Sequence, residues 1–303
     1  MPITIRPLTP FFGAEVTHVD LTRPLDDATF AEVENAFETY SILVFPKQKL
    51  TDETQIAFSS RFGSLETTQG HIANNFQVKQ ISEISNLDPN GKLMAADDPR
   101  LIYRIGQRNW HSDSSFKHVP AKYSLLSARV IPDAGGNTEF ADMRQAWDEL
   151  DAETKATCAD LICEHSQLYS RGLLGFDDFT DDDKRRFQPV RQRLVRTHPS
   201  TGRKSLFLAS HAGAIEGWPV PEARAFLRDL NEHATQRKYV YAHEWKQWDL
   251  VVWDNRATMR RPALRRRLAD VLVPQGHHRR RPRRLVRVHR GRRQPGPHGR
   301  HPR

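Results

Sequence analysis

The chain is nearly without cysteine: Cys158 and Cys163 are the only two in 303 residues. That excludes a disulfide-stapled scaffold. A pair five apart in a helical-looking stretch reads as buried thiols in a reducing compartment rather than a metal pair. No apolar run reaches 18 residues, which excludes a membrane helix coded by hydropathy. The opening MPITIRPLTPFFGAEV has no basic segment followed by an apolar one, so a cytoplasmic location is expected and a secretion leader is not. No internal repeat is present.

Lysine and glutamate are missing from residues 260–303, which carry 16 Arg against a single acid, Asp270. With those 16 of the 46 basic residues and one of the 37 acids set apart, residues 1–259 hold 30 bases against 36 acids, a net −6. The overall charge of +9 therefore belongs to the tail. A basic tail raises a nucleic-acid reading, with steeply salt-dependent binding as its signature. The tail has neither aromatic interleaving nor helical patterning, so no nucleic-acid partner is expected. At this length one large domain with a sizeable core is expected over 1–259.

Within that body, LDDATFAEVENAFETYSILVF predicts a helix with Phe30, Val33 and Phe37 on one face, then a buried strand, SILVF. LTDETQIAFSSRFG predicts a second helix, N-capped by Thr51 and stopped at Gly63. Residues 64–106 read as loops and short strands over a site. NWHSDSSF, KYSLLSARVI and NTEFADM read as strands, and RQAWDELDAETKATCADLICEH as helical. RLVRTHPSTGRKSLFLAS reads as a hairpin, VPEARAFLRDLNEHAT as a helix opened by Pro221, and KYVYAHEWKQWDLVVWDN as two strands around a turn. Strands dominate without regular βαβ alternation. The expected fold class is α+β, an antiparallel barrel or jelly-roll core with helices packed outside.

His111 and Asp113 in NWHSDSSF stand at i and i+2, the same face of a strand. An imidazole and a carboxylate side by side are two corners of a 2-His-1-carboxylate triad, a donor set suited to Fe(II) with three open positions. On spacing alone the metal reading and a packed pair stand level. A second H-x-D, His18/Asp20, lies near the N-terminus without aromatic neighbours and reads as a surface turn.

NWHSDSSF, followed 22 residues after Asp113 by GGNTEFADMR, resembles the taurine/2,4-dichlorophenoxyacetate dioxygenase family. The resemblance runs from GAEVTHVDLTRPL to DLVVWDNRATM and lies closer to the phenoxyacetate branch. It implies a double-stranded β-helix (jelly-roll) core and an Fe(II)- and 2-oxoglutarate-dependent dioxygenase that uses O2. The substrate it implies is a small organic acid, most simply an aryloxyalkanoate, with a sulfonate such as taurine as the alternative. It implies His111 and Asp113 as iron ligands and Thr138 as a hydrogen-bond donor to 2-oxoglutarate. Trp253 and Asn255 fall on the strand leading to the last ligand. His71 and Lys92 fall near the basic positions that meet the substrate carboxylate. Homo-oligomers are common in this family.

The resemblance breaks at position 260, where the family carries its third ligand, a histidine, and this chain carries Arg260. A guanidinium stays protonated and has no lone pair for a metal. An arginine roughly ten residues further on, which meets 2-oxoglutarate in the family, is also lost to the Arg/Pro-rich text of 260–303. That text is what GC-rich DNA encodes out of frame. One codon choice for PQGHHRRRPRR, shifted by one base, reads R-R-D-T-T-V-A-D-H-A, similar to the family's ending of an Arg pair and a Thr-rich strand. The expectation is a one-base shift near codon 260, disorder beyond about residue 262, and weak iron binding and impaired turnover in the chain as it stands.

Overall fold

The computed structural model describes residues 2–66, 80–81, 84, 94–95, 98, 105–131, 135–176 and 179–263. Strands β1 (Thr4–Pro7) and β2 (Ala14–Thr17) open the chain. Helix α1 (Asp27–Tyr40) starts where Asp26 accepts the Thr29 N–H at 2.8 Å. It ends at Ser41, whose φ of +59° turns the chain directly into β3 (Ile42–Phe45). Its buried face is Phe30, Val33, Ala36 and Phe37, the spacing read from the sequence. Helix α2 (Asp52–Ser60) begins with a capping box between Thr51 and Thr54. Gly63 follows it at φ +129°, a conformation that favours glycine.

Strands β4 (Tyr123–Ser127) and β5 (Thr138–Asp142) come next. The stretch expected to be one helical segment divides into α3 (Met143–Asp148), α4 (Ala152–Cys158) and strand β6 (Ile162–His165). Asp151 causes the first division by capping a new helix through the Thr154 N–H at 2.8 Å. The second follows from period-2 burial, with Cys163 and His165 inward and Glu164 outward. Helices α5 (Gln167–Gly172) and α6 (Asp181–Arg186) lead to β7 (Val190–Arg193). The predicted hairpin is β8 (Val195–Thr197) against β9 (Lys204–Leu206), with Val195 opposite Leu206. Strand β10 (Ala212–Ile215), helix α7 (Val220–Ala234) and strands β11 (Val240–His243), β12 (Leu250–Asp254) and β13 (Thr258–Pro262) follow.

The fold is α+β. A five-stranded sheet runs β1-β2-β3-β12-β4, and three-stranded sheets run β11-β5-β13 and β10-β6-β7. All pairs are antiparallel except β2 with β3. β11 and β12, read from the sequence as neighbours around a turn, join different sheets: β11 pairs β5, and β12 lies between β3 and β4.

Strand alternation divides the core. On β3 and β12, Leu43, Phe45, Leu250 and Val252 pack with α1 and Phe58 of α2. Ile42, Val44, Val251 and Trp253 face the other way and meet Phe140 of β5. The Phe140 and Trp253 rings stand 5.5 Å apart. On β5 and β13 the outward residues Ala141 and Met259 join a third cluster with Ala223, Leu227 and Leu230 of α7. Arg260 lies opposite Phe140 and so shares the inner face. Strand β13 ends at Pro262, three positions beyond the 259 boundary read from the sequence. Residues 264–303, on which the disorder expectation falls, lie outside the described residues.

Candidate metal centre

NWHSDSSF is not a strand. A short 3-10 turn, Gly106–Arg108, precedes it, and His111 makes one isolated bridge to Arg260. The two residues exchange both backbone bonds, Arg260 N–H to the His111 carbonyl at 2.8 Å and the reverse at 3.1 Å. The chain then leaves the sheet because side chains take up its polar groups. The Ser112 hydroxyl lies 3.0 Å from the Thr258 carbonyl and 3.2 Å from that of Leu208. The Asp113 N–H donates to Asn255 Oδ1 at 3.0 Å, and Ser114 turns at φ +55°. Turn geometry, rather than strand alternation, brings the imidazole and carboxylate together.

His111 Nδ1–H donates to the Asn109 carbonyl at 2.7 Å, since a carbonyl only accepts. That leaves Nε2 facing Asp113 Oδ1 at 3.3 Å. Two donor atoms at this separation, with the imidazole tautomer set by a backbone carbonyl, match what two adjacent ligands of one metal ion require. Asp113 is braced from its other side. Ser124 Oγ–H donates to its Oδ2 at 2.8 Å, and Asn255 Nδ2 donates to Ser124 Oγ at 2.9 Å. Trp253 Nε1–H reaches Asn255 Oδ1 at 3.2 Å.

Position 260 breaks the set. Its guanidinium bonds the carboxylate through Nη2 to Oδ1 at 3.1 Å and Nε to Oδ2 at 3.4 Å, and lies over the Trp253 ring at 4.9 Å. Burial pushes the Asp113 carboxyl up, but the Arg260 charge and the bond and charge of His111 outweigh it. They hold it well below the usual carboxylate range. The donors His111 and Asp113 fit a divalent metal, and Arg260, at the position where the resemblance expects a third ligand, does not.

Thr138 is buried on the inner face, opposite Pro262 and two residues from Phe140, the partner of Arg260. Its hydroxyl accepts Trp245 Nε1–H at 3.0 Å. His71 and Lys92 lie outside the described residues. His18 and Asp20 form the expected turn, with His18 at φ +60°.

Sequence reasoning missed two residues, Ser124 and His211, and the roles of two that it named, Asn255 and Arg260. Asn255 and Ser124 position Asp113, and no spacing signal joins residues 142 apart. Arg260 supplies a charge partner rather than a gap. His211 is buried, with Nδ1 2.8 Å from Ser170 Oγ and its ring 4.8 Å from Phe116. Burial, reinforced by the neighbouring His111 and Arg171 charges, pushes it well below the ordinary histidine value, so it stays neutral.

Among the described residues, Glu38, His198 and Asp254 also gather with metal-ligand atoms within 4.8 Å of one another. Here a cation is already in place. Arg256 bonds Asp254 through Nε to Oδ1 at 2.9 Å and Nη2 to Oδ2 at 2.6 Å, and reaches both Glu38 oxygens at 3.3 Å. We read this group as an ion-pair network that pins the turn between β12 and β13. A cleft of about 770 Å³ lined by Arg191, Arg196, His198 and Arg256 lies beside it and includes neither His111 nor Asp113.

Residues 4–263 match the family model described as "Taurine catabolism dioxygenase TauD, TfdA family". The chain belongs to this family. Among its relatives, the alpha-ketoglutarate-dependent 2,4-dichlorophenoxyacetate dioxygenase of Cupriavidus pinatubonensis is 42% identical over 266 residues, 86% of this chain and 92% of that one. The (S)-phenoxypropionate/alpha-ketoglutarate-dioxygenase of Sphingobium herbicidovorans is 41% identical over 84% of this chain and 87% of its own length. The crystal structure of AAD-2 in complex with Mn(II) and N-oxalylglycine is 53% identical, covers 86% of this chain and 92% of that chain, and superposes with a TM-score of 0.83. The match to the TauD/TfdA family model ends at residue 263, within the first residues of the Arg-rich stretch that starts at 260.

Proposed function

We propose that the chain is an Fe(II)- and 2-oxoglutarate-dependent dioxygenase, an oxidoreductase, of the aryloxyalkanoate class. It would act with O2 on a small organic acid of the 2,4-dichlorophenoxyacetate type and release succinate and CO2. The observation that carries the reading is the approach of His111 Nε2 to Asp113 Oδ1 at 3.3 Å, with Nδ1 tied to a backbone carbonyl. The finer fold assignment is a double-stranded β-helix, supported by the inner face that β3, β12, β5 and β13 share around Phe140 and Trp253. In this reading residues 1–259 carry the dioxygenase domain and 260–303 the Arg/Pro-rich text.

In this reading His111 and Asp113 hold the metal, and Thr138 donates to the 2-oxoglutarate carboxylate from the same inner face. His71 and Lys92 meet the substrate carboxylate, where a cationic or hydrogen-bonding group suits an anion. Asn255 and Ser124 act through Asp113 as positioning residues. An aryloxyalkanoate is favoured over a sulfonate or sulfate ester because the relatives at 41–42% identity carry phenoxyalkanoate names, whereas the alkylsulfatase of Acinetobacter baylyi is 26% identical. A cytoplasmic setting is supported by two free, buried thiols, and among the described residues no helix is long and apolar enough to cross a membrane. A homo-oligomer remains the family expectation.

As the chain stands, position 260 does not fit the triad. The test is therefore made on the coding frame shifted by one base from codon 260. That protein is expected to release succinate from 2-oxoglutarate in a reaction stimulated by 2,4-dichlorophenoxyacetate more than by taurine. Equal stimulation, or stimulation by taurine alone, overturns the substrate class. DNA across codons 250–285 that repeatedly encodes the Arg/Pro-rich tail in frame overturns the frame shift.

A further inference from the structure

Arg260 is more than a missing ligand. Its backbone is locked to His111 by two hydrogen bonds, and its guanidinium lies over the Trp253 ring and takes both oxygens of Asp113. Only 7% of the residue is exposed, so little solvent competes for the pair. The one carboxylate that a metal would need is already neutralised by a cation that cannot dissociate.

We propose that Arg260 acts as a built-in substitute for the metal: the guanidinium clamps Asp113, and the centre is a closed ion pair indifferent to divalent ions until position 260 loses its charge. This rests on the reading of His111 and Asp113 as metal ligands. Three physical consequences follow. The fold does not need metal to satisfy Asp113. An incoming divalent cation meets a fixed positive charge at the carboxylate it must bind. The block is electrostatic, so removing the charge relieves it in part even without a new ligand, and placing an imidazole at 260 relieves it fully.

The probe is Mn(II), followed by the paramagnetic resonance signal of the free ion, on the full chain. The native chain is expected to leave Mn(II) free and to melt at one temperature with Mn(II) or with chelator. Arg260→His is expected to take up one Mn(II) per chain at least about tenfold more tightly, and its melting temperature to rise with the ion. Arg260→Gln, which keeps a polar side chain without the charge, is expected to lie between the two. It decides the matter if Arg260→His does not fold. Asp113→Asn in the Arg260→His background should abolish the uptake. Native chain that binds Mn(II) as tightly as Arg260→His overturns the clamp alone, as does Arg260→Gln binding no better than native. A folded Arg260→His that binds no Mn(II), or binds it equally well without the Asp113 carboxylate, overturns the ligand assignment beneath both readings.

Discussion

Asp254→Asn tests how the turn that delivers position 260 is held. Asp254 is fully buried. Its Oδ1 accepts the Arg256 N–H at 2.8 Å and Nε at 2.9 Å, and its Oδ2 accepts Nη2 at 2.6 Å and faces His198 Nε2 at 3.0 Å. An asparagine keeps the shape but turns one of these acceptors into a donor that faces other donors. Charge-assisted hydrogen bonds contribute about 1.5–3 kcal/mol each, and breaking a buried ion pair costs about 3–5 kcal/mol. Arg256 retains Glu38 at 3.3 Å, which places the loss toward the lower end, about 3 kcal/mol. At roughly 2–4 °C per kcal/mol for a domain of this size, the melting temperature should fall by roughly 6–12 °C.

The same substitution has a pH signature. Burial pushes the Asp254 carboxyl up, but the His198 and Arg256 bonds outweigh it and leave it below the ordinary value. The unfolded chain therefore takes up this proton first as the pH falls. The stabilisation is fully present above the unfolded value of about 3.9 and is lost below it, as the pH falls through the native value. In that window the native chain should lose up to about 1.4 kcal/mol per pH unit from this one group, and Asp254→Asn should lack that component. Urea unfolding followed by tryptophan fluorescence from pH 7 down to about 3 reads both effects. A variant within about 1 kcal/mol of native at pH 7, with an unchanged acid slope, refutes the network's role.

Two further outcomes follow from the structure. Burial pushes the Cys158 thiol up to about 11 and that of Cys163 to about 12. A thiol reagent at pH 8 should label neither in the native chain and both in denaturant, and rapid native labelling would contradict the packing. Trp245→Phe removes the indole donor to Thr138 Oγ1 and should cost about 1 kcal/mol in urea unfolding, with Thr138→Val adding little once the tryptophan is gone; fully additive losses would show that the two side chains do not interact.

What the sequence made legible was local. Helix α1 could be read because Asp26, Phe30, Val33 and Phe37 carry its cap and face within one short segment, and α2 because Thr51 and Thr54 close a box three residues apart. The hairpin β8–β9 could be read from two apolar runs around a Gly-containing turn. Where the outcome depends on distant partners, local pattern misleads. KYVYAHEWKQWDLVVWDN contains two real strands, but β12 is claimed by β3 and β4, whose partners lie far upstream. NWHSDSSF looks extended, yet Asn255, Ser112 and a left-handed Ser114 bend it, and the first of these acts from 142 residues away. The i, i+2 spacing of His111 and Asp113 led to the right juxtaposition through the wrong secondary structure. Trp253 and Asn255, placed by the resemblance on the strand leading to the last ligand, include one residue that packs against Phe140 and one that orients Asp113.

Position 260 shows why this departure matters more than an ordinary substitution. The bonds that bring it to His111 are backbone bonds, and the register of β13 on β5 is set by residues on both sides of it. The fold therefore presents whatever side chain stands at 260 to Asp113, nearly independent of its identity. The Glu38–His198–Asp254 group makes the comparison within one molecule: there too carboxylates and an imidazole converge, and there too an arginine supplies the positive charge. Arg256 belongs to a network with matched acceptors, two carboxylates and a tyrosine hydroxyl, and is held by the turn it stabilises. Arg260 has a single carboxylate beside an imidazole whose Nδ1 is tied to a backbone carbonyl and whose Nε2 faces that same carboxylate. In the first group the arginine is part of the frame. In the second the backbone presents the arginine to Asp113, and the charge of this site turns on that one side chain rather than on the fold around it.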